Sequence, residues 1–264
     1  MLVLASQDSG YHPPSIAEFF PPALLFEGTP FQIDRIMLIR VLMTVVLVGF
    51  FLIALRRPKI VPRGVQNLAE MGLDFVRVSI AEEILGKVNG KRFLPLLTTI
   101  FFMVWALNLS GVIPFLNMPS TAKIGVPLLL ALLTYVVFNY AGIKAQGFGP
   151  YMKSNLFPPG IPKPLYLLVT PIEFVSTFLV RPFTLTVRLL ANMIAGHMTL
   201  VLFFGAAWFL LFQAGSLLLA PVGVLSFGAG FIFTLFELLV QVLQAYVFTM
   251  LTAVYIDGAL HAEH

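Results

Sequence analysis

An arginine stands alone in a long apolar stretch of this chain. After Arg188 come 48 residues, Leu189 to Phe236, without one Asp, Glu, Lys or Arg. A guanidinium stays protonated at any working pH. Placing it at the centre of a bilayer costs roughly 2.5–3.5 kcal/mol on insertion scales, so such a residue points to function and needs a partner. Beyond residue 165 the other ionisable groups set in apolar sequence are Glu173, Arg181, His197 and Glu237, with Asp257 near the carboxyl end. On a helix, Arg181, Thr184, Arg188 and Asn192 share one face. Glu237, Gln241, Gln244, Phe248, Leu251 and Tyr255 form a second stripe, a carboxylate and two amides on an otherwise apolar helix. Polar stripes of this kind face a partner helix or water, because lipid leaves their groups unsatisfied. Histidine titrates in the range useful for proton transfer. An obligate cation, a histidine, two carboxylates and several amides are machinery for moving protons along short polar paths. Asn108 either links helices by a hydrogen bond or lines such a path.

Each residue also has a structural reading. Arg188 could reach an interface or pair with Glu237, His197 could be satisfied between helices, and Arg181, just before Pro182, suits a structural or interfacial role. There is no phosphate-cradling glycine loop, no HExxH and no nucleophile elbow. Without cysteine, the chain has no disulfide, thiolate metal site or Cys nucleophile. Three functional classes follow: a proton-path subunit, an ion-coupled secondary transporter using Arg188 to bind an anionic substrate, and a membrane anchor. A transporter would want repeats and helices broken at the midplane, and no internal repeat is visible.

The elements that must position these residues are membrane helices. Of 264 residues 59% are hydrophobic and only 11% charged, against about 25% charged in soluble domains. Its 16 basic and 12 acidic residues report topology rather than nucleic-acid binding. Residues 1–33 read as a Pro-rich, loosely ordered exterior tail in which Phe19, Phe20, Leu24, Leu25 and Phe26 could touch an interface. No basic-then-apolar pattern of a cleavable signal peptide opens it. Residues 34–264 read as one membrane domain. Spans are expected at about 36–55, 94–115 and 124–143, with an amphipathic surface helix at about 64–88. Two overlong apolar segments follow, 165–213 and 224–258. As one helix the first would run roughly 73 Å, more than twice a hydrocarbon core of about 30 Å. Hydropathy alone leaves two spans or one tilted helix open, with Pro171 and Pro182 as bend sites. Loops 56–92 and 144–164 carry 8 and 3 basic residues, against Arg35 and Lys123 on the other side. The amino terminus is therefore expected outside and the basic loops inside.

Three separated motifs resemble one family. The run Arg181-Pro-Phe-Thr-Leu-Thr-Val-Arg188-Leu-Leu-Ala-Asn192-Met-Ile-Ala-Gly196-His197 looks like the signature of subunit a of the F-type rotary ATP synthase, bacterial type. Leu243 to Ile256 is similar to that family's last helix, and Thr99 to Pro114, containing Asn108, is the third match. The resemblance implies an all-α polytopic protein: about five membrane helices and one amphipathic surface helix. The last two are long, strongly tilted and paired as a hairpin against a rotating ring of c subunits, which leaves the carboxyl terminus cytoplasmic.

It implies roles as well. Arg188 matches the essential arginine facing the carboxylate of each passing c subunit, and Gln244 the glutamine beside it. Asn192, His197 and Glu237 match an outer half-channel, Gln241 shares the Glu237 stripe, and Asn108 falls on the same outer path. Glu173, with Ser176 nearby, resembles an acidic position of an inner half-channel. Glu173 and Pro182 lie farther apart than in relatives, so either a local bulge absorbs the difference or Glu173 points elsewhere. An acidic pair that some members carry near Asn108 is absent, and Ser110 stands there. Implied partners are the c-ring, b subunits of the peripheral stalk, the F1 sector, lipid and protons, with no nucleic acid. The resemblance implies no cofactor, no metal and no catalysis by this chain alone. It places the chain as a multi-pass protein of a bacterial plasma membrane.

Overall fold

The computed structural model describes residues 13–25, 28, 32–113, 116–157, 165–215 and 218–261. Pro114 of the third motif, Phe26 and Lys163 lie outside the described residues. Helices dominate, and five helical stretches are long and apolar enough to cross a membrane. The only strands among the described residues are β1 (Ala23–Leu25) and β2 (Ile33–Asp34), a short antiparallel pair.

Helix α1 (Arg35–Ala54) starts where the Asp34 carboxylate accepts the Met37 N–H at 2.8 Å, an N-cap that satisfies an orphan donor. It buries Ile36, Ile39, Met43 and Ala54 and leaves most of its other apolar side chains outward, as a lipid-facing helix can. Gln66 then clamps the turn that follows. Its amide donates to Lys59 O at 2.9 Å and accepts the Lys59 N–H at 3.1 Å.

The amphipathic stretch forms α2 (Val65–Val76), which continues through a π-turn, Arg77–Glu82, into α3 (Glu83–Leu109). Arg77 bridges Asp74 and Glu82 across the π-turn, at 3.4 and 3.6 Å. Gly86 breaks the direction of the helix with φ 71° and ψ 171°, a backbone that glycine adopts at no steric cost. That single residue separates the surface helix from the span. The charge-free run in the sequence extends to residue 122, but the helix itself stops at Leu109.

α4 (Gly125–Gln146) and a nine-residue helix, α5 (Phe148–Leu156), follow. α5 lies in the segment 144–164, read from sequence as a basic loop. Its Tyr151 is buried and donates to Asn139 Oδ1 at 3.0 Å, which gives the short helix its anchor.

Residues 166–213 form one continuous helical stretch of 48 residues. It comprises α6 (Tyr166–Val175), a π-turn (Ser176–Val180), α7 (Arg181–Trp208) and a second π-turn (Phe209–Gln213). α8 (Ala220–Leu260) adds 41 residues. At 1.5 Å per residue these run roughly 70 and 60 Å, so each must lie far from the normal of a 30 Å core. The sequence alternative of two spans within 165–213 is thereby excluded. The first π-turn sits just before Pro182. In a regular α-helix the proline ring would clash with the Phe178 carbonyl, and the wider turn accommodates it.

α7 and α8 form an antiparallel hairpin: Ser226 bonds Phe203 O, Glu237 lies on Gly196, and Asn192 bonds Gln244. Buried Ala245, Thr249, Thr252 and Ala253 let α8 approach α3 and α4 closely. Thr134 and Thr252, both fully buried, share a hydrogen bond of 3.2 Å.

Candidate functional site

The site is built on the α7–α8 hairpin and closed at one end by the chain around residues 108–121. α7 carries Arg188, Asn192 and His197, and α8 carries Glu237, Gln241 and Gln244. The two stripes expected from spacing do meet. Asn192 Nδ2 donates to Gln244 Oε1 at 2.8 Å, leaving the buried Gln244 Nε2 without a partner. Glu237 is 4% exposed and Gln241, one turn further along α8, is 1% exposed.

Gly196 makes room for this carboxylate. A Cβ there would overlap the carboxyl group of Glu237, so only glycine lets α8 bring an acid against the α7 backbone beside His197. A crevice joins His197, Glu237 and Gln241 to Gly111 and Pro119. Asn108, fully buried, accepts from Thr121 Oγ1 at 2.7 Å and keeps its Nδ2 free. Ser110 Oγ accepts the Ser120 backbone N–H at 3.1 Å and shares a hydrogen bond with the Ser120 hydroxyl at 2.9 Å. Ser110 thus fastens the loop that walls the crevice.

Besides Arg40 Nη2 on α1, four buried polar atoms have no protein partner among the described residues: Asn108 Nδ2, His197 Nδ1, Gln241 Oε1 and Gln244 Nε2. Unpaired buried polar groups cost about 1–3 kcal/mol each and ask for an explanation such as water or a transported ion. Here all four lie in one zone.

Arg188 is half-buried and has no hydrogen bond or ion pair among the described residues. Ala191 and Ala195, on the same side of α7, are exposed and leave space for close approach by another helix. Arg181 behaves differently: its guanidinium lies 5.2 Å from the Tyr255 ring centroid, the structural role its place before Pro182 suggested.

Glu173 on α6 and Ser176 in the π-turn are half-buried and are not joined to the other group. The wide Glu173-to-Pro182 spacing coincides with the π-turn Ser176–Val180, a local bulge of the kind the sequence left open. Along the helix Glu173 precedes Arg188 by roughly 22 Å, and His197 follows it by roughly 13 Å. The polar groups therefore fall on two sides of the arginine.

Sequence reasoning did not place four contributors in the site. Gly196 and Thr121 act through partners distant in sequence. The tail residues Glu18 and Phe19 reach the site itself: Glu18 Oε2 lies 4.0 Å from His197 Nε2, and the Phe19 ring packs edge-on at 5.2 Å. The expectation of a loosely ordered tail therefore needs correcting for residues 13–25. Phe19 is 2% exposed, and that buried aromatic anchors the segment. Phe20, Leu24 and Leu25, read from sequence as able to touch an interface, are exposed. The flagged Phe19-Phe20 pair was the available signal.

The family described as ATP synthase A chain matches residues 37–257. The chain belongs to the ATP synthase subunit a family. It is 59% identical to ATP synthase subunit a of Rhodococcus erythropolis over 96% of this chain and 92% of that protein. It is 41% identical to that of Streptomyces lividans, over 97% and 89%. With that of Frankia alni it shares 45% identity over 81% and 73%. A bacterial F-type subunit a is a membrane subunit of the Fo sector in proton transport for ATP synthesis, and is not itself catalytic. As an Fo subunit it works with other subunits of the complex, the c-ring among them. Membership sets aside the self-contained transporter.

Proposed function

We propose that this chain is the stator of the proton channel, with two offset half-channels that meet at Arg188. The observation that carries this reading is the lone Arg188. A cation held at membrane depth without a counterion among the described residues of its own chain implies an anion supplied from outside it. The c-ring carboxylates are that anion, arriving one at a time as the ring turns.

The physics is a pKa switch on the ring. A carboxylic acid can face lipid only when neutral, because an unpaired charge in hydrocarbon is expensive. Beside Arg188 the opposite charge favours its anion, and the proton leaves by the inner path, past Ser176 and Glu173. A new proton arrives by the outer path through Asn108, Asn192, His197, Glu237 and Gln241. Gln244, beside the arginine, offers a neutral amide that holds geometry without competing for the carboxylate. Arg188 stays charged throughout and blocks direct passage between the paths. Each proton crossing 100 mV contributes roughly 2.3 kcal/mol, which the ring converts to rotation.

The basic loops set the orientation in this proposal. The amino-terminal tail and the Gly111–Pro119 end face outward, and the carboxyl terminus is cytoplasmic, in a bacterial plasma membrane. Residues 34–264 act as one membrane domain, with b subunits and the F1 sector completing the stator and motor.

Arg188→Ala in membrane vesicles tests the reading. Assembly should persist while ATP-driven proton pumping disappears. Retained pumping contradicts it.

A further inference from the structure

We infer that Glu18 is the intake carboxylate of the outer path, passing protons from the exterior to His197. The inference rests on the proposed function above. It begins with the position of residues 13–25, which three contacts hold in place. The Phe19 ring packs edge-on against His197 at 5.2 Å. The Lys123 ammonium lies 5.8 Å from the Phe20 ring centroid. Strand β1 pairs with β2 at the start of α1. Lys123 in turn is ion-paired with Asp34 at the end of β2. Proline pairs, Pro13-Pro14 and Pro21-Pro22, stiffen both ends of the short turn Ile16–Phe19.

Glu18 is therefore held where it is. One carboxylate oxygen accepts the Ser15 N–H at 3.1 Å. The other lies 4.0 Å from His197 Nε2, a gap that one bridging water closes. The side chains grade from outside to inside: Glu18 is 37% exposed and His197 5%. Phe19 covers the histidine beside it, so the carboxylate is the polar approach. The titratable groups around His197 are Glu18 on the tail and Glu237 on α8. The wall at 108–121 offers only the neutral Asn108, Ser110, Ser120 and Thr121, and Arg188 lies two and a half turns away on α7 itself.

The proton balance is simple. Glu18, protonated from bulk water, breaks its O–H bond and an N–H bond forms at His197 Nε2. A carboxylate and an imidazolium result. The imidazolium then breaks the N–H bond at Nδ1, which has no partner among the described residues, and an O–H bond forms on the ionised Glu237 carboxylate beside Gly196. The neutral histidine keeps its Nε2 proton, and a ring flip frees a nitrogen toward Glu18 for the next one. Glu18 is reprotonated from the exterior.

The test uses the whole ATP synthase in membrane vesicles. ATP synthesis is driven by an imposed proton gradient, and the pH of the compartment facing residues 13–25 is varied. Glu18→Gln keeps the acceptor for Ser15 N–H and removes the titratable proton. It should lower the synthesis rate at least about tenfold, a low figure for one positioned proton donor, and flatten the dependence on that compartment's pH. Glu18→Asp should keep most of the rate and the pH dependence. A wild-type rate and pH profile in Glu18→Gln overturns the inference. So does a uniform fall at every pH that Glu18→Asp shares, since that marks a packing role. Arg188→Ala in the same vesicles separates the two levels. If it leaves synthesis intact, the underlying stator reading fails. If it abolishes synthesis while Glu18→Gln matches wild type, only the intake role falls.

Discussion

Two groups of cations sit at opposite extremes in this molecule. In the corner between α1 and residues 116–123, each has a partner within the chain. Arg35 donates to Leu116 O at 3.1 Å, Arg40 to Ser120 O at 2.8 Å, and Lys123 pairs with Asp34. On the hairpin, Arg188 has none among the described residues. The first arrangement is how a membrane protein stabilises charges that join its parts. The second leaves a binding free energy unused within the chain, available to a group that comes and goes. On the proposed function, the difference separates a charge that builds the fold from a charge that operates it.

The largest expected effect is at the open charge: Arg188→Ala should remove coupled proton movement while the complex still assembles. Next come the groups on the path. Glu237→Gln or His197→Ala should slow proton uptake about ten- to hundredfold, read as the initial rate of ATP-driven acidification. Unchanged rates in both would move the path elsewhere.

Gly196→Ala should follow. The new methyl displaces the Glu237 carboxyl, at about 1–3 kcal/mol of overpacking. Thermal stability of the solubilised complex should drop together with the pumping rate. A fall in stability alone would mean that Glu237 needs no exact seat.

The smallest effect belongs to the closed corner. Burial opposes ionisation of Asp34, but the Lys123 ammonium and the Met37 N–H outweigh it and hold the carboxyl below its usual range. A depressed carboxylate contributes stability above its unfolded value of about 3.9, and that stability is lost as pH falls through the folded value. Asp34→Asn keeps the helix cap and removes the charge. It should cost about 1 kcal/mol near neutrality, with pumping intact. The gap to wild type should shrink below about pH 4. Thermal melts across that range check the sign, and lost pumping would erase the contrast between the two corners.

Much of this was legible in sequence because bilayer physics is severe. Charge-free runs exposed the helices, and i, i+4 and i+7 spacing put Glu237, Gln241 and Gln244 on one face. The absence of any acid near Arg188 in its own helix already pointed outside the chain. What stayed hidden has physical causes. π-turns leave no periodic signal, so the wide Glu173–Pro182 spacing registered only as an irregularity. Gly86 could have been any helical glycine until its positive φ was seen. Gly196 matters because of a side chain 41 residues later, and Glu18 because of one 179 residues later. No local pattern carries contacts of that range.

The central claim is that Arg188 faces a moving partner, and crosslinking tests it most directly. The chain has no native cysteine, so single cysteines at Ala191 and Ala195, exposed beside Arg188, can be paired with a cysteine next to the ring carboxylate. A cysteine at Leu189, fully buried, serves as control. The account predicts disulfide formation with the ring from Ala191 or Ala195 and none from Leu189. Crosslinks absent from both exposed positions in an assembled complex would contradict it.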